Sequence, residues 1–247
     1  MVISRTVFKN EIIAEFGFPT RTSKKVIVFC KGMPGSPSGR AVLEFYTKKG
    51  FTTFLPRYRG TWESRGTFLK NSPHEDVIDL IDQLPKGFKD LWNKKIIKVN
   101  PQKIYIFGAS FGGPAALLAS LDQRVAKVVA AAPVIDWKKQ GKTEPLGWLE
   151  NFTTEAFGEA YRFSHRDWQK LKKGKFYNPW HIREKIPGEK ALLFHAQDDD
   201  VVPWGSTKNF ALATGAKLVS FKRGGHYGVS NFVEPQFYRH IKKHLAI

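Results

Sequence analysis

The chain has 247 residues, 42% of them apolar, enough for one large α/β domain with a sizeable core and no need for a second. Its 40 Lys and Arg against 22 Asp and Glu leave a net charge of +18. The basic residues fall as scattered pairs such as Lys24-Lys25, Lys48-Lys49 and Lys242-Lys243, with one dense cluster at 170–175 and no nucleic-acid-binding module, which argues against a specific nucleic-acid function.

In chain order, residues 2–8 and 11–16 read as an antiparallel hairpin turning at Lys9-Asn10. A strand at 26–30 ends on Cys30, the one cysteine, so no internal disulfide is possible and the thiol is expected in buried packing. A helix at 38–49 and a strand at 52–55 follow. Ser72-Pro73-His74-Glu75 then predicts a capped helix start, with Val77, Ile78, Leu80, Ile81 and Leu84 on one apolar stripe. Strands are expected at 103–107, 125–131, 190–195 and 217–221, and helices at 111–121, 205–213 and 235–245. Strands alternating with helices predict a mostly parallel sheet covered on both faces. The apolar runs are too short and too charged to span a bilayer, and residues 1–11 lack an apolar signal core, so a cytoplasmic setting is expected.

Chemistry concentrates at Ile104-Tyr105-Ile106-Phe107-Gly108-Ala109-Ser110-Phe111-Gly112-Gly113. A strand-forming run stops at a glycine, one serine follows, and an Ala/Leu helix begins at once. Two glycines at the G-x-S-x-G spacing remove side-chain bulk where the chain must turn sharply, which lifts Ser110 as a candidate nucleophile. The following helix aims its first N–H groups at the same spot. A dinucleotide fingerprint is excluded, because Ala109-Ser110 breaks the G-x-G-x-x-G spacing and Asp122 ends a helix rather than a strand. No cofactor is implied.

A serine hydroxyl needs a base and an acid that orients it. His226 sits between glycines, Gly224-Gly225-His226-Tyr227-Gly228, after the strand at 217–221, and is the candidate base. The acid is expected among Asp198, Asp199 and Asp200, which follow the strand ending in His195. His195 itself reads as structural. His240 and His244 share a helix face at i, i+4 with no third ligand evident, so no metal site is expected.

These pieces, together with Lys31-Gly32-Met33-Pro34-Gly35 and Pro56-Arg57-Tyr58-Arg59-Gly60, resemble the α/β-hydrolase superfamily and, within it, the catalytic domain of prolyl-oligopeptidase-like serine hydrolases. The resemblance runs from about Val26 to the terminal helix. It implies a mostly parallel eight-stranded sheet with helices on both faces. In the family's H-G-x-x-D-x-x-V-P pattern the acid lies four residues before the proline, which selects Asp199 before Pro203. The implied triad is Ser110, His226 and Asp199. The main-chain N–H groups of Met33 and Phe111 are implied as the oxyanion hole; Pro34 has no N–H to offer. Lys31 stands where the family usually has histidine.

Residues 136–187 break the strand–helix alternation and carry many aromatics, including Trp137 and Trp148. They are expected to form a small cap insert within the single domain, with most of these rings packing the insert and a few facing substrate, Trp137 and Trp148 being the candidates. Arg57 and Arg59 follow a strand at the active-site edge; they would either bind a substrate carboxylate or pair with Glu63 and Asp76 to hold the loop. The expected function is a serine hydrolase cleaving carboxylic esters or short acyl amides, acting on small-molecule or short-peptide substrates. An aminopeptidase or acyl-peptide hydrolase is the second reading, and a non-catalytic binder with a basic surface the third.

Overall fold

The computed structural model describes residues 2–139, 141 and 143–247. The N-terminal hairpin is β1 (Ile3–Phe8) and β2 (Ile12–Gly17), turning through Lys9 and Asn10, both at positive φ. Then come β3 (Lys25–Cys30), α1 (Arg40–Lys48), β4 (Thr52–Pro56) and α2 (Pro73–Gln83). A two-residue-per-strand hairpin, β5 (Phe88–Lys89) and β6 (Ile96–Ile97), precedes β7 (Lys103–Ala109), α3 (Gly112–Ala119) and β8 (Val125–Ala131). After an excursion holding α4 (Leu146–Phe157) and α5 (His165–Lys172), the chain returns through β9 (Ala191–Ala196), α6 (Trp204–Thr214), β10 (Lys217–Phe221) and α7 (Pro235–Leu245).

Eight strands form one sheet in the order β1-β2-β4-β3-β7-β8-β9-β10, antiparallel between β1, β2 and β4 and parallel from β4 onward. Burial follows that position. Edge strand β1 alternates half-buried and buried residues, whereas β3, β4 and β9 are buried almost throughout because helices cover both faces. One face packs Val77 and Leu80 of α2, Ala115 of α3 and Phe210 of α6; the other packs Val42 and Tyr46 of α1 and Phe237 and Ile241 of α7. The α2 start is held by Glu75, whose carboxylate accepts the Ser72 amide at 3.3 Å. Among the described residues no helix is long and apolar enough to cross a membrane.

The excursion between β8 and β9 is fastened at named points. Trp168 of α5 is fully buried, donates its indole N–H to the Leu146 carbonyl at 3.0 Å and packs on Phe163 at 4.9 Å between centroids. Burial of a ring of this size holds on the order of 4 kcal/mol against truncation. Tyr161 bridges antiparallel to Thr61, and the Phe68 amide donates to the Arg162 carbonyl at 2.7 Å, so the excursion is tied to the loop after β4. Cys30 is fully buried at the end of β3, and burial pushes its thiol pKa up.

Candidate active site

Strand β7 runs into α3 with a single sharp turn, and Ser110 occupies it at φ +53°. A non-glycine residue in this region is strained, and the surrounding structure must hold it there. Three hydrogen bonds do so: the Ser110 amide donates to Ala131 at 2.9 Å, and the Ser110 carbonyl accepts from Gly113 at 2.9 Å and Val134 at 3.2 Å. The flanking glycines answer to close approach. A Cβ on Gly112 would fall onto the Cys30 carbonyl, and one on Gly108 onto the Gly112 carbonyl.

Asp199 and His226 meet across two loops. Asp199 Oδ2 lies 2.9 Å from His226 Nδ1 and 3.1 Å from His195 Nε2, while Oδ1 accepts the amides of Val201 at 3.0 Å and Val202 at 2.9 Å. Burial alone would raise the Asp199 pKa, but the hydrogen bonds from His195 and His226 and the attraction of His226 outweigh it and hold the carboxyl well below the usual carboxylate range. An ionised carboxylate only accepts, so His226 carries its proton on Nδ1 in this pair, leaving Nε2 with its lone pair in the neutral ring. His195, which reads as structural from the sequence, is fully buried. Its Nε2 also lies 3.0 Å from the Val202 carbonyl, an acceptor only, so this nitrogen is the donor, and its Nδ1 pairs with the Thr207 hydroxyl at 2.8 Å.

The neighbouring aspartates behave differently. Asp200 is exposed, and Asp198 turns outward to accept the amides of Gly225 at 3.0 Å and Gly224 at 3.3 Å. Asp198 therefore braces the loop that carries His226, with Gly225 at φ +61°. Asp198→Ala is expected to free this loop and displace the imidazole, read as loss of the downfield His226 Nδ1 proton resonance that the bond to Asp199 gives.

Ser110 and His226 line one cavity of about 540 Å³, together with Lys31, Gly32, Met33 and Glu144. Among the described residues no hydrogen bond joins the Ser110 hydroxyl to the imidazole. Gly32 comes close to the elbow: a Cβ there would stand 3.0 Å from Ser110 Cβ. Neither the Met33 nor the Phe111 amide N–H has a hydrogen-bond acceptor among the described residues, whereas the Ser110 and Gly113 amides are both engaged. Lys31 folds away from the serine, its ammonium donating to the carbonyls of Ser36 (2.5 Å) and Ser38; burial lowers its pKa.

A second, smaller pocket that also reaches Ser110 is lined by Met33, Phe111, Trp137, Glu144 and Leu149. Trp137 is thus brought to Ser110, with its indole N–H held by the Tyr177 carbonyl at 2.7 Å and its ring 5.7 Å from Phe111. Trp148 is not brought there: it is exposed and stacks at 4.9 Å on Phe152, which does reach the larger cavity.

For the two arginines the structure supplies the pairing alternative, Arg57 with Glu63 and Arg59 with Asp76 among others. Arg57 is engaged by Glu15 at 3.0 Å and Glu63 at 3.1 Å; Arg59 by Glu11 at 2.5 Å, Asp79 at 2.7 Å and Asp76. Neither lines the two cavities at Ser110. Their carboxylate partners come from β2 and α2 and the loops beside them, so the guanidinium groups pin those elements to the end of β4.

Glu144, which no sequence pattern singles out, borders both cavities. Burial raises its carboxyl pKa, opposed by the attraction of His226. It lies in the excursion, where neither strand ends nor motif spacing mark a residue for a site.

Residues 37–246 match the profile of the prolyl oligopeptidase family. Among solved structures, an esterase of Pyrococcus furiosus aligns with a TM-score of 0.68 at 17% identity, over 99% of this chain and 89% of its own. A thermophilic esterase of the planctomycete Thermogutta terrifontis, with butyrate bound, gives 0.65 at 19% identity over 99% and 93%. The acylaminoacyl peptidase of Pyrococcus horikoshii gives 0.63 at 17% identity, over 98% of this chain but 40% of the peptidase. At these identities the likeness is one of fold, and this chain spans less than half of that peptidase. With an eight-stranded, mostly parallel sheet, a serine on the strand-to-helix turn and a profile match over most of its length, the chain has the α/β-hydrolase fold and belongs to the prolyl oligopeptidase family.

Proposed function

We propose that this protein is a serine hydrolase cleaving carboxylic esters or short acyl amides through an acyl-enzyme, with residues 136–187 serving as a cap over a single α/β domain. The observation that carries the reading is the buried Asp199 carboxylate bonded to His226 Nδ1, with that imidazole on the same cavity wall as a strained Ser110. His226 Nε2 would take the Ser110 proton as the oxygen attacks the carbonyl carbon, and Asp199 would stabilise the imidazolium that forms. The Met33 and Phe111 amides would receive the developing oxyanion. The imidazolium then protonates the leaving oxygen or nitrogen, and water, deprotonated by the same ring, releases the acid. The Ser110–His226 hydrogen bond would form as substrate enters, since such bonds commonly tighten only in the reactive complex.

Esters are favoured over peptides by the substrate space: an apolar pocket of Phe111, Trp137, Leu146 and Leu149 beside the serine suits an acyl chain. One observation favours the aminoacyl reading. The Glu144 carboxylate borders both cavities and would pair with a substrate ammonium group. A fluorophosphonate probe tests the chemistry: stoichiometric labelling that disappears in Ser110→Ala is expected, and an unlabelled wild type would end the hydrolase reading. Comparing p-nitrophenyl acyl esters with aminoacyl-anilides then ranks the two substrate classes, and faster turnover of the anilides would place peptides ahead of esters.

A further inference from the structure

The β5–β6 hairpin projects an indole into solvent on a turn that is built to hold it there. Trp92 is 70% exposed and Ile96 is 66% exposed. The turn between the strands is pinned by one buried carboxylate: Asp90 accepts the Ser4 hydroxyl at 2.6 Å, the Trp92 amide at 2.8 Å and the Asn93 side chain at 2.7 Å. The Leu91 amide donates to Arg5 of β1 at 2.8 Å, and the Asp90 amide closes onto Lys95 at 2.8 Å. An indole that could fold back against the body is instead displayed by a braced loop, at the cost of leaving a large apolar surface in water.

Charge surrounds it. Lys86, Lys89, Lys94, Lys95 and Lys98 are all exposed, and none forms an ion pair among the described residues. The segment's one acidic side chain, Asp90, is turned inward onto Ser4. A further cavity that Trp92 lines, of about 370 Å³, carries Arg5, Arg40 and Arg57, whose charges are paired with Glu15, Glu63 and Glu44. Ser38 and Arg40 border both this cavity and the one holding Ser110 and His226, so the hairpin and the mouth of the site share a rim.

The geometry points to this hairpin as a docking element for an anionic lipid surface, with Trp92 and Ile96 entering the interface and the five lysines pairing with acidic headgroups. Tryptophan is suited to the water–lipid boundary, and clustered lysines beside it are attracted to the negative surface. An exposed aliphatic Ile96 on the same hairpin favours lipid over nucleic acid, because a base can stack on the ring but gains little from the isoleucine. The inference stands independently of whether Ser110 is a nucleophile.

Co-sedimentation with vesicles tests it. The wild type is expected to bind equimolar phosphatidylcholine and phosphatidylserine vesicles, to ignore pure phosphatidylcholine, and to release at high salt. A Trp92→Ala, Ile96→Ser variant keeps the net charge and both residues are exposed, so folding should be unchanged by circular dichroism, yet partitioning should fall roughly tenfold. Acyl-brominated lipid should quench part of the wild-type tryptophan emission, and that part should vanish in Trp92→Phe. Equal binding by the double variant would assign the attraction to the overall +18 charge and overturn the proposal, as would a wild type that does not bind. Loss of oligonucleotide binding in Trp92→Ala with vesicle binding intact would reassign the hairpin to nucleic acid.

Discussion

Replacing Ser110 by alanine should lower kcat on the best ester by about a millionfold, and adding His226→Ala should remove little more. The reason is that proposed nucleophile and base act as one device. Without the hydroxyl there is no proton for the imidazole to take; without the base the hydroxyl attacks too slowly to matter. A residual rate of roughly a thousandfold over water should survive in both variants, from the two main-chain donors and substrate positioning. Active-site titration and steady-state kinetics on the single and double variants measure this. A double variant slower than Ser110→Ala by a further large factor would mean that the two side chains work separately. The elbow itself should be undisturbed, since its hydrogen bonds all run through the Ser110 backbone.

Asp199→Asn should cost about ten-thousandfold in kcat while leaving the fold intact. The carboxylate accepts from His226 Nδ1 and so keeps Nε2 unprotonated in the resting ring. An amide can turn its NH2 toward Nδ1 instead, which favours the tautomer with the proton on Nε2, where it cannot act as a base. Asn retains one oxygen for the Val201 and Val202 amides, so the turn should survive, with the loss of the acceptor for the His195 Nε2–H adding to the cost in stability. Stability carries its own signature. The folded pKa of Asp199 lies below its unfolded value of about 3.9, so its contribution is complete above that pH and is lost as pH falls through the folded value. The gap in unfolding free energy between wild type and Asp199→Asn should therefore be widest near neutrality and close in strong acid. Urea titrations across that range measure it. Asp200→Asn, at an exposed position, should change neither rate nor stability appreciably.

Much of the scaffold was legible from local demands alone. The spans 125–131, 217–221 and 235–245 coincide with β8, β10 and α7, because each is an apolar run or stripe whose period its neighbours do not disturb. The turn at Ser110 was legible because only small residues on either side permit it. By contrast, β5 and β6 pair over two residues each and exist through Asp90 and the contact with Arg5, which no period announces. Helices α4 and α5 likewise depend on the buried Trp168 and on ties to the loop after β4.

At the site the division is sharper. Three successive aspartates are chemically identical in the sequence, and packing separates them: Asp199 is buried against two imidazoles, Asp198 braces Gly224 and Gly225, and Asp200 is exposed. Arg57 and Arg59 could face substrate or protein until Glu11, Glu15, Asp76 and Asp79 arrive from elements far away in the chain. By itself the sequence determined the sheet's composition, the strained serine and the histidine loop, since periodicity and backbone sterics act over a few residues. Only the tertiary structure decided which charges meet, that His195 supports Asp199, and that Glu144 borders both cavities, because those contacts depend on how distant segments pack.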